Sequence, residues 1–340
     1  MPEPLSLTDR HPTVSIPELV GQFVPPPHFG AVRFDNYIPD AAHPTQAAAV
    51  AALRAFADRV VEPPPRRTIF RRPAPPEGRR GVYLDGGFGV GKTHLLASLW
   101  HAVPGPKSFG TFVEYTNFVG ALGFRTAVEA LKVNRLLCID EFELDDPGDT
   151  VLMSTLLNEL VADGVYLAAT SNTLPDKLGE GRFAADDFMR EIQGLAAHFD
   201  VLRIEGEDYR HRGLPDAPEP CSDADVAAHV SATPGAALDD FGRLTRHLAT
   251  VHPSRYGALV QGVSLLGVSN VRTVTDQADA LRLVVLVDRL YDRDVPVVAS
   301  GVPLDRLFTA DMLRGGYRKK YFRAVSRLVA LARDGQAMVG

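Results

Sequence analysis

Apolar positions recur along this chain in two rhythms. After Asp40, Ala47, Val50, Leu53 and Phe56 stand at helical spacing and predict an amphipathic helix. Gly81-Val82-Tyr83-Leu84 is a short apolar run, as expected of a buried strand. A glycine cluster follows, then a helix with Leu95, Leu96, Leu99 and Ala102 on its apolar face. Thr111–Tyr115 reads as a second strand, Leu136–Ile139 as a third, Val151–Leu160 as a helix and Val165–Ala169 as a fourth strand. Val201–Ile204 is expected to close the sheet. Helices alternating with strands apolar on both faces predict an α/β fold, a three-layer core with a mainly parallel sheet. Beyond it, helix Asp239–Ala249, a strand near Val263–Val268, a helix from Thr275 to Tyr291, strand Val295–Ser300 and a closing helix Tyr321–Arg333 predict a mixed α/β C-terminal domain.

Polar stretches set the expected layout. Residues 1–33 read as a polar, Pro-rich arm, 34–205 as the core and 206–340 as the C-terminal domain, with the acidic, Pro-rich Gly213–Gly235 as a boundary stretch. Within the core, residues 61–80 carry six Pro, six Arg and two Glu, a local charge of +4, and read as an exposed loop. A faint echo links Leu156–Thr170 to Leu286–Ser300, but no glycine loop precedes the second copy, so it should not bind a second nucleotide.

Composition narrows the class. Apolar residues make up 45% and charged residues 23%, which excludes wholesale disorder. Thirty-six basic against 42 acidic side chains give a net charge of −6, so nucleic acid is not the favoured partner. The two cysteines, Cys138 and Cys221, form neither a disulfide scaffold nor a metal cluster pattern. Membrane-spanning helices need about 20 apolar residues, and no run approaches that. Met1–Val20 lacks the basic start and apolar middle of a signal peptide, and a cytoplasmic location is expected.

The chemistry is concentrated in three places. Gly86-Gly87-Phe88-Gly89-Val90-Gly91-Lys92-Thr93, running on into His94, matches the phosphate loop G-x-x-x-x-G-K-[ST] between a strand and a helix. Its glycines let backbone N–H groups turn inward around phosphate oxygens, and the helix start adds its positive dipole end. Lys92 is expected to reach the β and γ phosphates of ATP, and the Thr93 hydroxyl to ligate Mg²⁺. Leu136-Leu137-Cys138-Ile139-Asp140-Glu141 delivers two carboxylates at the carboxyl end of a strand, where ligands of such sheets sit. Asp140 would complete the Mg²⁺ environment and Glu141 would polarise an attacking water. That pair favours water over a small-molecule acceptor, and Glu141 argues against a non-catalytic nucleotide switch. Ala168-Ala169-Thr170-Ser171-Asn172 ends a third strand in an amide able to contact the γ-phosphate or the water.

Together these runs resemble the additional-strand P-loop ATPases of the AAA+ class, and more closely the ZapE-type ATPases. The latter are bacterial cell-division proteins related to a mitochondrial-membrane ATPase family. The likeness rests also on Asp35-Asn36-Tyr37-x-Pro39-Asp40, Gln46, Phe142, Asp145, Asp149, Asp208-Tyr209-Arg210, Leu290-Tyr291-Asp292 and Ser326-Arg327-Leu328. It implies an ATP-hydrolysing mechanoenzyme and an ATP-dependent homo-oligomer. The implied client is a protein, the division-ring protein, at the inner face of the cell membrane. A helicase loader or other nucleic-acid-handling ATPase is the alternative with the same core. The family's Arg-x-Arg-Phe-x-Pro run is replaced by Asp186-Asp187-Phe188-Met189-Arg190, and its His-Phe-His strand by Thr111–Tyr115. The candidates for an arginine finger, a cation lent to the γ-phosphate across a subunit boundary, are Arg190 and then Arg182. Arg323, in preference to Arg327, is the candidate that reaches back onto the nucleotide.

Overall fold

The computed structural model describes residues 4–62, 79–87, 89–144, 147–175, 178, 188–206 and 217–339. The chain divides into two compact units, Val20–His211 and Met1–Leu19 with Arg212–Gly340.

A short helix α1 (Ile16–Gly21) leads to α2 (Pro44–Val61), which opens on a proline and buries Leu53, Phe56 and Val60 along one face. Alternating elements follow: β1 (Gly81–Gly86), α3 (Lys92–Ala102), β2 (Lys107–Thr111), α4 (Phe112–Leu122), α5 (Phe124–Leu131), β3 (Leu136–Asp140), α6 (Pro147–Ala162), β4 (Tyr166–Ser171), α7 (Met189–Ala196) and β5 (Phe199–Ile204). The five strands are parallel, in the order β2-β3-β4-β1-β5. Every residue of β3 is buried, as is all of β1 but its last glycine, because helices cover both faces. β4 lies between β1 and β3, so the carboxyl ends of all three open on one crevice.

One expected strand is a helix. Residues Thr111–Tyr115 start α4, and the strand is the preceding Lys107–Thr111. Thr111 and Glu114 explain the difference: the Glu114 N–H donates to Thr111 Oγ1 at 3.3 Å and the Thr111 N–H to Glu114 Oε2 at 2.6 Å. This reciprocal cap satisfies two donors that a helix start would otherwise leave open. Phe112, Tyr115, Phe118 and Val119 then fall on one buried face.

The other unit holds α8 (Asp223–Ala232), β6 (Ala237–Asp240), α9 (Phe241–Leu248), α10 (Tyr256–Leu259), β7 (Leu266–Val271), α11 (Gln277–Tyr291), β8 (Val297–Gly301) and α12 (Arg318–Val339). Its strands are parallel in the order β6-β7-β8. Leu244, Val268, Leu283, Val287, Val297, Val325 and Val329 belong to one core. Two expectations shift here. Asp239 and Asp240 end a strand, and the Asp240 side chain accepts the Arg243 N–H at 3.0 Å, so the helix begins at Phe241. Helix α8 occupies part of the stretch read as a boundary, with Ser222 as its N-cap.

The N-terminal residues are docked rather than forming a loose arm. Leu7 is fully buried, and Leu5 bridges Ala237 in parallel at the edge of β6. The buried Asp239 carboxylate accepts from Ser6 Oγ at 2.7 Å, the Leu7 N–H at 2.8 Å and the Thr8 N–H at 3.2 Å. In the other unit, the Phe23 carbonyl accepts the Phe109 N–H at 2.9 Å and its ring stacks on Tyr115 at 4.6 Å. Alternation of polar and proline residues hid these anchors, because each is a single apolar side chain rather than a periodic face.

Candidate functional site

The turn between β1 and α3 has a shape that glycine permits. Gly89 and Gly91 have φ of 82° and 84°, in the left-handed region. A Cβ on Gly86 would meet the Ile204 carbonyl oxygen at 2.3 Å, and one on Gly91 would meet the Tyr37 ring at 2.6 Å. Tyr37 Oη donates to the Val90 carbonyl at 2.9 Å, which fastens the Asp35–Asp40 segment to the loop. Lys92 is the first residue of α3, and its Nζ donates to the Gly86 carbonyl at 2.9 Å, the Gly87 carbonyl at 2.6 Å and Asn172 Oδ1 at 2.8 Å. His94, half-buried two residues on, faces Tyr37, with rings 5.4 Å apart, and its Nε2 lies 3.3 Å from the Arg33 carbonyl oxygen. Phe88 lies outside the described residues.

Asp140 ends β3 and is 6% exposed. The Thr93 hydroxyl lies 3.2 and 3.1 Å from its two oxygens, and the Thr170 hydroxyl donates to Oδ1. A buried carboxylate needs such donors to offset its lost hydration. Glu141 follows with φ 54°, a sparsely populated conformation for a residue with a side chain. Its N–H donates to Thr170 Oγ1 at 3.0 Å, and the Phe142 N–H donates to the Thr170 carbonyl at 2.7 Å. Asn172 stands just beyond β4. Lys92, Thr93, Asp140, Glu141 and Asn172 therefore converge at the carboxyl ends of β1, β3 and β4. Behind them, burial pushes the Cys138 thiol and the Tyr115 phenol up, and Tyr115 Oη donates to the Cys138 carbonyl at 3.1 Å. Both groups stay neutral and serve as packing beneath the acidic pair.

The arginines fare differently from one another. Arg190 lies in the first turn of α7 and is exposed, whereas Arg182 lies outside the described residues. Arg323 and Arg327, one turn apart on α12, both donate to Asp288 of α11: the Arg323 guanidinium reaches Oδ2 at 2.8 Å and Arg327 takes Oδ1. Burial raises the Asp288 pKa, but the two guanidiniums outweigh it and hold the carboxyl below the usual carboxylate range. Neither Asp288 nor Thr170 stands out in the sequence as a partner of these groups. The i, i+4 spacing of Arg323 and Arg327 on a helix was the available signal for the first. No local signal marks the second.

Known proteins resemble this chain to different degrees. The model of the AFG1-like ATPase family matches residues 22–233 and 216–337. The cell division protein ZapE of Escherichia coli K12 is 29% identical over 292 residues, covering 73% of this chain and 77% of that protein. Lactation elevated protein 1 homolog B of Danio rerio is 25% identical over 307 residues, 72% of this chain and 59% of that protein. Among solved structures, the replication initiator DnaA bound to AMPPCP and single-stranded DNA aligns over 92% of this chain and 95% of its own, at 11% identity and a TM-score of 0.38. An overlap that loose adds nothing to the assignment, which the family match over most of the sequence carries. The chain belongs to the AFG1-like ATPase family.

Proposed function

We propose that this chain binds ATP with Mg²⁺ at the Gly86–Thr93 loop and hydrolyses it. On this reading it is an AAA+-type mechanoenzyme that uses the cycle to act on a protein client at the division site. The observation that carries the reading is the convergence of two contacts from three strands: Lys92 with Asn172 at 2.8 Å and Thr93 with Asp140 at 3.1 Å.

A hydroxyl and a carboxylate are hard oxygen donors, the set Mg²⁺ prefers, and Thr93 and Asp140 would hold it. Bound there, Mg²⁺ would neutralise phosphate charge. Lys92 would bring its charge to the β and γ phosphates, and the loop amides would cradle them. Glu141 would accept the proton of the attacking water, and the amide of Asn172, whose Oδ1 already accepts a hydrogen bond from Lys92, would donate through its NH₂ to the γ-phosphate or that water. Arg190 would supply the missing cation from a neighbouring copy, which makes assembly nucleotide-dependent. Among the described residues no helix is long and apolar enough to cross a membrane, so a role at the inner membrane face would be peripheral. Likeness to the cell division protein of Escherichia coli supports a role in division, and the client proposed for that role is the division-ring protein.

Phosphate release by the purified protein with ATP and Mg²⁺ is the direct test. Release that needs Mg²⁺ and disappears in Glu141→Gln is expected. A parent that binds ATP without releasing phosphate would leave a nucleotide switch. Affinity purification of the Glu141→Gln protein with ATP, against ADP as control, tests the client, and a division-ring protein recovered only with ATP is the expected result.

A further inference from the structure

Thr170 sits beside both members of the acidic pair, within the Ala168–Asn172 run but with no role assigned to it there. It is 2% exposed, in β4 between β3 and β1, and pairs laterally with Leu84. Its hydroxyl is used twice: the proton goes to Asp140 Oδ1, and a lone pair accepts the Glu141 N–H at 3.0 Å. A hydroxyl has one proton, so donating to Asp140 leaves only acceptor capacity for Glu141, and the two bonds fix one rotamer. The Thr170 carbonyl takes the next amide, Phe142 N–H, at 2.7 Å. One residue thus holds a carboxylate and two successive amides of the neighbouring strand's end. Between those bonds Glu141 is turned to φ 54°, which side-chain-bearing residues adopt only when their surroundings impose it.

We propose that Thr170 is a positioning residue for hydrolysis, acting through its hydroxyl to set both the orientation of Asp140 and the backbone turn that aims Glu141, a role that rests on the hydrolytic reading of that pair. Serine can reproduce both bonds; valine, of the same shape, can make neither. A purely packing role would be filled equally well by valine.

The test compares Thr170→Val and Thr170→Ser with the parent. Hydrogen exchange of the Glu141 and Phe142 amides is read at single-residue resolution in protein without added nucleotide. Loss of one hydrogen bond should speed Glu141 exchange about fivefold or more in Thr170→Val. Phe142, bonded to a main-chain oxygen that the substitution keeps, should stay within about threefold, and Thr170→Ser should match the parent at both amides. In steady-state assays Thr170→Val should lose kcat by about 10- to 100-fold with KM for ATP within about threefold, and Thr170→Ser should restore the rate. Unchanged exchange at Glu141, or equal acceleration at both amides, overturns the inference whatever the rate does. Should Glu141→Gln prove as active as the parent, the hydrolytic reading fails, while the exchange data still decide whether Thr170 holds the turn. If Thr170→Val gives no cooperative melt, Thr170→Ala, which likewise can make neither bond, takes its place under the same expectations.

Discussion

Lys92 donates to three oxygens of its own chain, so a phosphate has to compete with acceptors already in place. Competition does not weaken the case for its importance, because phosphate oxygens carry a negative charge that the Gly86 and Gly87 carbonyls and the Asn172 amide lack, and charge-assisted bonds are the stronger ones. Lys92→Ala is expected to cost ATP affinity tenfold or more, about 1.4 kcal/mol upward, with the melting transition retained; titration of a fluorescent ATP analogue measures it. Unchanged affinity would move the site away from the loop. Glu141→Gln keeps shape and loses the proton acceptor, so phosphate release should slow by about 10²- to 10⁴-fold while the same titration shows binding intact. These residues were legible in the sequence because loop, acidic pair and amide each lie within a contiguous run that ends a strand. Thr170 was not legible as a functional group, because its two partners are brought beside it only by strand pairing in the sheet.

Elements show the same division between local and lateral information. β1 and β3 were readable as unbroken apolar runs, whereas β2 carries Ser108 and Gly110 and gives a weak signal. The glycine has a tertiary cause: a Cβ there would meet the Phe23 ring at 2.6 Å, so the strand makes room for a side chain almost ninety positions away. Local chemistry misread the next element in the opposite sense, since the Thr111–Glu114 cap outweighs the β-branched and aromatic residues that suggested a strand. Helices α11 and α12 illustrate an ion cluster that joins two elements. Asp288, 14% exposed, is held by guanidiniums 22% and 25% exposed, and removing its charge would turn both ion pairs into neutral contacts. Asp288→Asn is therefore expected to destabilise the C-terminal unit by about 2 kcal/mol, read from thermal denaturation. The sign with pH follows from the depressed pKa. Unfolded carboxyls titrate near about pH 3.9, so the stabilisation is complete above that value and drains away as pH falls through the lower folded value. The gap between parent and Asp288→Asn should be constant through neutral pH and shrink below about pH 4; a gap that grows in acid would contradict the assignment.

At the scale of the whole molecule, the open question is what completes the phosphate site. On the proposed reading Lys92, Asn172 and the acidic pair would supply a cation, an amide and a base, yet a transferring γ-phosphate develops charge on several oxygens and is commonly met by a second cation. Arg190 is the cation we propose a neighbouring copy lends: it is exposed in the first turn of α7, with the buried Ile192 and Leu195 holding that helix to its own core. A rigid helix keeps its charge preorganised, and preorganisation is the source of such stabilisation. Exposure also means that Arg190→Ala removes no core contact, so a loss of activity would not be a loss of fold. If the residue acts across a boundary, Lys92→Ala subunits lack a functional loop but still carry Arg190, while Arg190→Ala subunits keep the loop. Each variant alone should be inactive, and an equimolar mixture should recover up to about a quarter of parental phosphate release if neighbours assort at random, since only junctions pairing an intact loop with an intact arginine are complete. Recovery should rise with protein concentration as mixed assemblies form. A mixture that stays inactive after co-assembly is confirmed by light scattering would assign the finger to Arg182 or place it within the same chain, and Arg190→Ala activity near the parent's would remove Arg190 from the site altogether.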